Sequence, residues 1–488
     1  MNMKHATYFS LRKIAATACV LLLLSAGAGC KKYLDINTDP NRPTEPSING
    51  LLATVTQNTG LNVFRAANIT GYYVQYLASP NASSPTDIYD RVDFSATWRL
   101  MYDVMADVYD LEQQAIKLNS TAHLGISKIL MAVNLSMLTN MWGDVPFSEA
   151  LTGTNLKPGY DNAQQLYSRC LTLLDEGISE LRKAPTVTMV PAADFFHGPT
   201  LANATLWNST ARVNWIRTAY ALRARLLNQV SKLPSYNAAA VLSAVDSAYT
   251  GMAQEARVTV FPLRNPWATV ARNNAALVLD GWLSSNVVDL MNGTRLGYPD
   301  PRLPRLTNLT RFGDYRGTRN GAGRVGTGTT NDECYLVLAG HYSADAAPLY
   351  VATFEEMKFI EAEAALRANQ PTRAYTAYLA GITAHMNKLG VAAADRDAYL
   401  ARPQVGVGAS NLTLSVIARE KYFATFLQPV AWDDARRFNY NLPGFQLPLN
   451  ALLTQPIRRL DYPGTEQSLN SGNPPVVGAL TDRLWWDQ

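Results

Sequence analysis

From Ser95 to Leu118 an apolar side chain returns to one face at every third or fourth position: Trp98, Met101, Tyr102, Met105, Val108 and Ile116, with Glu112 the one polar member. A second run of helical period begins at Thr121 and reaches Met141, after a link of only two or three residues. So short a link leaves the second helix one direction, back along the first, and predicts an antiparallel hairpin. The pattern recurs in Asn162 to Ala184, with Leu166, Tyr167, Cys170, Leu174, Ile178 and Leu181 on one face. It recurs again in Ala211 to Lys232, with Val213, Ile216, Tyr220, Arg223, Leu227 and Val230. Thr353 to Asn369 and Thr372 to Leu389 are split by Gln370-Pro371, where proline suits a new helix start, and Leu412 to Leu427 adds a further helix. Strand-like runs such as Tyr335 to Leu338 are short and sparse. The expectation is a mainly all-α fold of stacked helical hairpins with large irregular loop insertions.

Two insertions stand out. Pro80 to Asp93 is rich in Ser, Asn, Asp and Pro, and Thr259 to Asn331 concentrates Gly, Pro, Asn, Arg and aromatic residues. Long loops inside a compact protein are usually functional or disordered, so these two are read as a recognition surface carried by the helices.

The N-terminus carries Lys4, Arg12 and Lys13, then an apolar stretch from Ile14 to Leu24, then Ser25 to Gly29 before Cys30, which is the build of a secretory signal peptide over residues 1–29. Ile14 to Leu24 would rise about 16 Å as a helix, roughly half a bilayer core, and no later segment is expected to reach membrane-span length. The junction resembles a bacterial lipobox, in which small residues precede a cysteine that becomes acylated; Gly27 stands where that pattern usually has Leu. On that reading Cys30 is the lipidation site, several acyl chains hold the protein to a bilayer, residues 30–46 are the lipidated N-terminus and tether, and residues 47–488 form a single domain. The alternative is cleavage at a small-residue site with Cys30 merely nearby.

Removing residues 1–29 takes three of 43 basic residues and none of 39 acidic ones, leaving the rest near neutrality. That argues against a nucleic-acid partner, which needs a clustered basic face. Two cysteines remain beyond Cys30, Cys170 and Cys334; spacing leaves both a disulfide and two unpaired thiols open.

No catalytic, metal or cofactor constellation is evident. His123, His197, His341 and His385 are scattered without ligand spacing and read as solvated or core histidines. The string GAGRVG, Gly321 to Gly326, fits a dinucleotide fingerprint only as text, because that site needs a strand before it and a helix after it; a glycine-rich loop is the better reading. Glu355, Glu356, Glu361 and Glu363 read as a solvated helix face, since neighbouring positions cannot flank one scissile bond.

Several strings resemble those of the SusD/RagB outer-membrane lipoproteins, in the SusD-like branch: NMWGDVPFSEAL (Asn140 to Leu151), FEEMKFIEAEAALR (Phe354 to Arg367), AREKYFATFL and AWDDARRFNYN (Ala418 to Asn441), PIRRLDYPGTEQSLN (Pro456 to Asn470) and the closing LWWDQ. YLDINTDPNRPTE and DPRLP (Asp300 to Pro304) fit the same order along the chain. The resemblance implies tetratricopeptide-like helix pairs under an irregular binding region. It also implies a non-enzymatic protein at the exterior of the cell outer membrane that passes oligosaccharide to a TonB-dependent, SusC-like β-barrel transporter. A RagB-like peptide binder is the alternative, and a glycan-active enzyme a remote one. Lys31 and Lys32 depart from the acidic residues that often follow the cysteine in such export signals.

The signature strings themselves read as structural: Gly143 and Pro146 shape a turn that Asp144 caps or braces, a helix starts at Trp432, and Arg436 and Arg437 are placed to pair with Asp461 or Glu466. For the ligand, Tyr89, Trp267 with Asn273, and Tyr315 with Arg316 are the candidates, because sugars stack on aromatic rings flanked by Asn, Asp and Arg; the alternative is that these rings fill gaps between the loops and the scaffold. Pro266 argues that Trp267 lies outside a helix interior.

Overall fold

The computed structural model describes residues 46–276, 281–326 and 330–488, so Cys30 and the expected signal segment, residues 1–29, lie outside the described residues. The principal helices are α1 Ile48–Tyr73, α2 Ser95–Lys117, α3 Thr121–Trp142, α4 Ala163–Arg182, α5 Arg212–Gln229, α6 Ala238–Ser247, α7 Pro266–Ala275, α8 Ser285–Met291, α9 Phe354–Arg367, α10 Pro371–Lys388, α11 Ala393–Leu400, α12 Leu414–Ala424 and α13 Val430–Arg437. Strands are few and short: β1 Leu77–Ala78, β2 Ala256–Val258, β3 Trp282–Leu283 and β4 Leu349–Ala352, with β1 antiparallel to β3 and β2 to β4. Tyr335 and Leu336 form only isolated bridges.

The expected hairpins are present, and local chemistry explains their edges. Asn119 takes the left-handed conformation at φ 51° after α2, which turns the chain within two residues into α3. Asn369 does the same at φ 56° before Pro371 opens α10. Asn162 caps α4 by accepting from the Gln164 and Gln165 amides, and Thr353 caps α9 by accepting from Glu356. The α3 and α4 pair is close enough to need glycine on both sides. A Cβ on Gly125 would lie 2.6 Å from Leu181 Cγ, and one on Gly177 would lie 2.8 Å from Ile129 Cγ1. In the α9 and α10 pair, Phe359 occupies the space that a Cβ at Gly381 would need, 2.8 Å away.

Four expectations need correction. Glu355, Glu356 and Glu363 do not form a solvated face but are buried. Lys388 Nζ sits 2.6 Å from Glu355 and 2.7 Å from Glu255, Arg225 lies 2.6 Å from Glu356, and Arg437 lies 2.7 Å from Glu363. Periodicity counts a carboxylate as solvent-facing, whereas opposite charges make burial tolerable. Arg436 pairs with Asp433 and Arg437 with Asp434 and Glu363; Asp461 instead meets Arg91, and Glu466 accepts from Trp98 and Tyr160. Helix α13 starts at Val430, one turn-half before Trp432. Finally, α3 is long and apolar enough to cross a membrane by length and composition, yet most of it is buried among the other helices.

Cys170 and Cys334 are both buried free thiols. His123, His197 and His385 belong to the core, and Asp144 braces α4 by accepting from the Ala163 amide at 2.8 Å.

Candidate functional site

The two insertions converge. The segment before the first insertion supplies β1, whose Leu77 and Ala78 face Leu283 and Trp282 of β3 in the second. Ser83 donates its amide to the Gly321 carbonyl at 3.0 Å, and the Arg324 amide bonds the Pro80 carbonyl at 2.9 Å. A third segment, around residues 444–452, closes the arrangement: the Leu449 amide donates to Asn320 O and the Leu452 amide to Ile88 O, each at 2.9 Å, while Gln75 Nε2 reaches Gln446 O at 2.6 Å.

Asp87 is the hub. It is fully buried and accepts from the Gly321 amide at 2.6 Å, from the Asn320 carboxamide and from the Ser79 amide. Burial pushes its carboxyl up to about 6, against the pull of those hydrogen bonds. Asn320 in turn accepts from the Ser284 hydroxyl at 2.6 Å, and Ser284 caps α8 through the Asn286 amide. The glycine-rich string has its explanation here. Gly321 and Gly323 take φ of 80° and 72°, and a Cβ on either would collide with backbone, of Leu449 and of Ala82 respectively. No dinucleotide chemistry is needed to account for them. Non-glycine residues in the left-handed region also gather here, at Gln75, Ser83, Tyr89 and Asn450, a kind of backbone strain that clusters at functional sites.

At this junction lies a polar pocket of about 210 Å³, lined among others by Gln75, Asn286, Asp289, Arg295, Arg319, Asn320 and Gln446. Arg295 Nε stands 3.8 Å from Asp289 and its NH1 donates to the Gly444 carbonyl. Asn286 is buried with the Tyr422 hydroxyl as its polar neighbour, and neither its Oδ1 nor its Nδ2 is within hydrogen-bonding geometry of a protein partner. A buried acceptor without a donor costs roughly 1–3 kcal/mol, which a ligand hydroxyl would recover.

A second concavity of about 380 Å³ is apolar and lies over α2, lined by Trp98, Tyr102, Pro146, Pro158, Glu466 and Leu469. Its polar groups are already matched. Glu466 accepts from Trp98 Nε1 at 3.2 Å and from the Tyr160 hydroxyl at 2.8 Å, and the Tyr102 hydroxyl donates to Pro146 O. The rings of Trp98, Tyr102, Trp142, Tyr160 and Tyr462 pack on one another at 5.0–6.5 Å, so this concavity is walled by side chains that brace α2 against the segments carrying Trp142 and Tyr462.

The residues singled out in the sequence distribute unevenly. Tyr89 is 1% exposed, packed edge-on to Tyr73, and Trp267 is 2% exposed, edge-on to Phe64 of α1 at 4.7 Å, so neither ring offers a face to solvent. Trp267 occupies the second position of α7, with Pro266 opening that helix. Asn273 lies half-buried on the same helix and does not line the pocket. Tyr315 is half-buried, its carbonyl held by Asn292 Nδ2 at 3.0 Å. Arg316 is exposed, bound to Asp314 at 2.6 Å, and its guanidinium sits 4.3 Å over the Phe312 ring, with Arg311 4.7 Å from the same ring. Phe312, 52% exposed, escaped the sequence reading, as did Gln75, Asn286, Asp289, Arg295 and Arg319. An Asn in a short helix or an Arg in a loop carries no periodic signal.

The family described as starch-binding and associating with the outer membrane, SusD-like, matches residues 40–463. No curated protein matches the chain. Among solved structures, a chitin-binding SusD homologue from Flavobacterium johnsoniae aligns with TM-score 0.74 at 21% identity, over 90% of this chain and 98% of that one. A SusD/RagB family protein from Bacteroides thetaiotaomicron gives 0.72 at 18%, over 91% and 99%. A SusD homologue from Bacteroides fragilis gives 0.73 at 18%, over 91% and 100%. At such identities the likeness speaks for the fold.

Proposed function

This chain belongs to the SusD-like family, and from that premise we propose that it is a non-catalytic capture protein for oligosaccharide, working at the outer membrane. The pocket at the junction of the insertions is the capture site, and the observation that carries this is the unmatched acceptor of Asn286 in a cavity walled by polar side chains. Sugars present many hydroxyls in a fixed array, so a pocket with acceptors and donors already oriented suits them. The chitin-binding homologue supports a glycan in this chain as well. A peptide held by backbone pairing would need a free strand edge of several residues, whereas β1 and β3, the strands at this junction, are two residues long, with Trp282 also bridged to Tyr335 and the Leu77 carbonyl accepting from Asn320. Among the lining residues Asp289 is the one carboxylate, while glycoside hydrolysis by acid and base uses two.

The transport role completes the proposal. Acylated Cys30 tethers the chain to the exterior leaflet, and the helical body caps a TonB-dependent β-barrel to which bound glycan is released. Titration calorimetry of the purified chain against oligosaccharides and peptides tests capture: saturable glycan binding without product formation is expected, and turnover or peptide binding alone would contradict it. For the tether, Cys30→Ala is expected to leave a folded protein that no longer partitions with membranes, and co-purification from detergent extracts is expected to bring down a β-barrel transporter.

A further inference from the structure

The charges of the pocket do not cancel. Four arginines lie in the stretch from Arg311 to Arg324. Three of them have a carboxylate: Arg311 at 2.6 Å from Asp332, Arg316 at 2.6 Å from Asp314, and Arg324 at 3.8 Å from Glu333. Arg319, which is exposed and lines the pocket, has no carboxylate within ion-pairing distance among the described residues. The other two charged lining residues, Arg295 and Asp289, face each other at 3.8 Å, so the positive charge of Arg319 is left over. In the same lining, the buried carboxamide of Asn286 has both its Oδ1 and its Nδ2 unmatched, so a ring hydroxyl can donate to it. The site thus asks for two things of one ligand: an anionic group for a guanidinium and a hydroxyl for a buried carboxamide.

We propose that the pocket selects an acidic sugar, a uronic acid residue of an oligosaccharide, whose carboxylate meets Arg319 and whose ring hydroxyl donates to Asn286 Oδ1. A uronic acid carries both groups on one rigid ring, and a guanidinium binds a carboxylate through paired N–H donors in a geometry that a neutral hydroxymethyl cannot match. This rests on the reading of the pocket as a glycan-capture site and adds the class of glycan.

The test is calorimetry on the full-length protein with four probes of equal length: an oligogalacturonate, its fully methyl-esterified form, a neutral chito-oligosaccharide, and a tetrapeptide with a free C-terminal carboxylate. The acid is expected to bind about tenfold or more tightly than its ester, a charge-assisted contact being what separates them. Arg319→Gln, an exposed position where folding is not at stake, is expected to bring the acid and its ester within about twofold of each other. Raising salt should weaken the acid and not the ester. Equal affinity for acid and ester, or a preference for the ester, overturns the acidic assignment while neutral binding leaves glycan capture standing. Binding of the peptide alone, lost in Arg319→Gln, overturns both and moves the guanidinium to a peptide carboxylate. Acid preference that survives Arg319→Gln overturns the role given to this residue.

Discussion

The helical scaffold and the loop junction handle polar groups in opposite ways. Around the helices, charges are buried with charges: Lys388 lies between two glutamates, Arg437 lies against Glu363 and Asp434, and Arg302 of the second insertion docks on Glu420 of α12 at 2.7 Å. At the junction the ties are single hydrogen bonds among Asp87, Asn320, Ser284 and backbone amides, with Asn286 Oδ1 and Arg319 left open. The scaffold pairs its buried charges with one another, though a few buried polar atoms such as His123 Nε2 and Asn68 Oδ1 go unmatched there, whereas the junction leaves the Arg319 charge over. A ligand can therefore be gained or changed at the junction without touching what keeps the helices together.

The comparison breaks most visibly at Glu363. It accepts from Arg437 at 2.7 and 2.8 Å and from Asn228 at 2.9 Å, and Glu363→Ala would leave a buried guanidinium without its main carboxylate. A loss of about 3–5 kcal/mol in denaturant unfolding is expected. A loss below about 1 kcal/mol would mean that these networks do not hold the scaffold.

Acid separates the two regions next. Burial lowers His123 to about 4 and His197 to about 3, so the folded protein keeps both neutral while the unfolded chain protonates them near 6.5. The unfolded state then binds more protons as pH falls from 6.5 toward 4, and the share of stability owed to these histidines drops through that window, by on the order of 2–3 kcal/mol each at its lower end. Asp433, raised by burial to about 6, and Glu255, raised to about 7, offset that effect in part. Asp87 has the other sign. Its folded value near 6 exceeds the ordinary carboxylate value, so the folded state takes up the proton first and the junction gains stability as pH falls through about 6 to 4. Thermal melts from pH 7 to 4 should fall, while hydrogen exchange at residues 79–90 and 318–321, corrected for intrinsic rates, should not lose protection between pH 7 and 5. Junction opening ahead of the scaffold in acid would reverse the assignment.

Smaller effects sharpen the contrast. Asn320→Ala removes bonds to Leu77, Asp87 and Ser284, and is expected to cost only about 1–2 kcal/mol in a melt while weakening glycan affinity at least about tenfold. Phe312→Ala should leave the melt unchanged and alter affinity by less than about fivefold, since Arg311 and Arg316 already lie against its ring. An affinity change near hundredfold would place that ring inside the binding site.

Legibility in the sequence follows the same divide. Helices α2 and α4 could be read to within a residue or two because their buried positions are mostly apolar and periodic, and α3, α9 and α10 because the short link after α2 and Pro371 mark their ends, although α9 buries Glu355, Glu356 and Glu363. Helix α1 could not, since its buried face includes Thr56, Thr59, Asn62 and Thr70, with Asn62 and Asn134 bonded to each other at 2.8 Å, so the stripe is diluted by polar residues satisfied within the core. The recognition loops could be read as regions but not as sites. Tyr89 and Trp267 looked exposed by their polar and proline neighbours, yet loop residues fill the core as readily as helix residues when the loop folds back on the scaffold. Segment 444–452 gave no signal, because what it contributes to the pocket comes largely from backbone positions fixed by long-range pairing.

The central claim, that capture occurs at the loop junction and not in the apolar concavity over α2, is tested most directly by titrating one binding oligosaccharide into the wild type, Asn286→Ala and Leu469→Asp, with a melt of each. Leu469 is 72% exposed and lines the apolar concavity, so its change tests that site without threatening the fold. The expected result is affinity lost about tenfold or more in Asn286→Ala and retained in Leu469→Asp. Affinity retained in Asn286→Ala and lost in Leu469→Asp, with both proteins melting like the wild type, would contradict it.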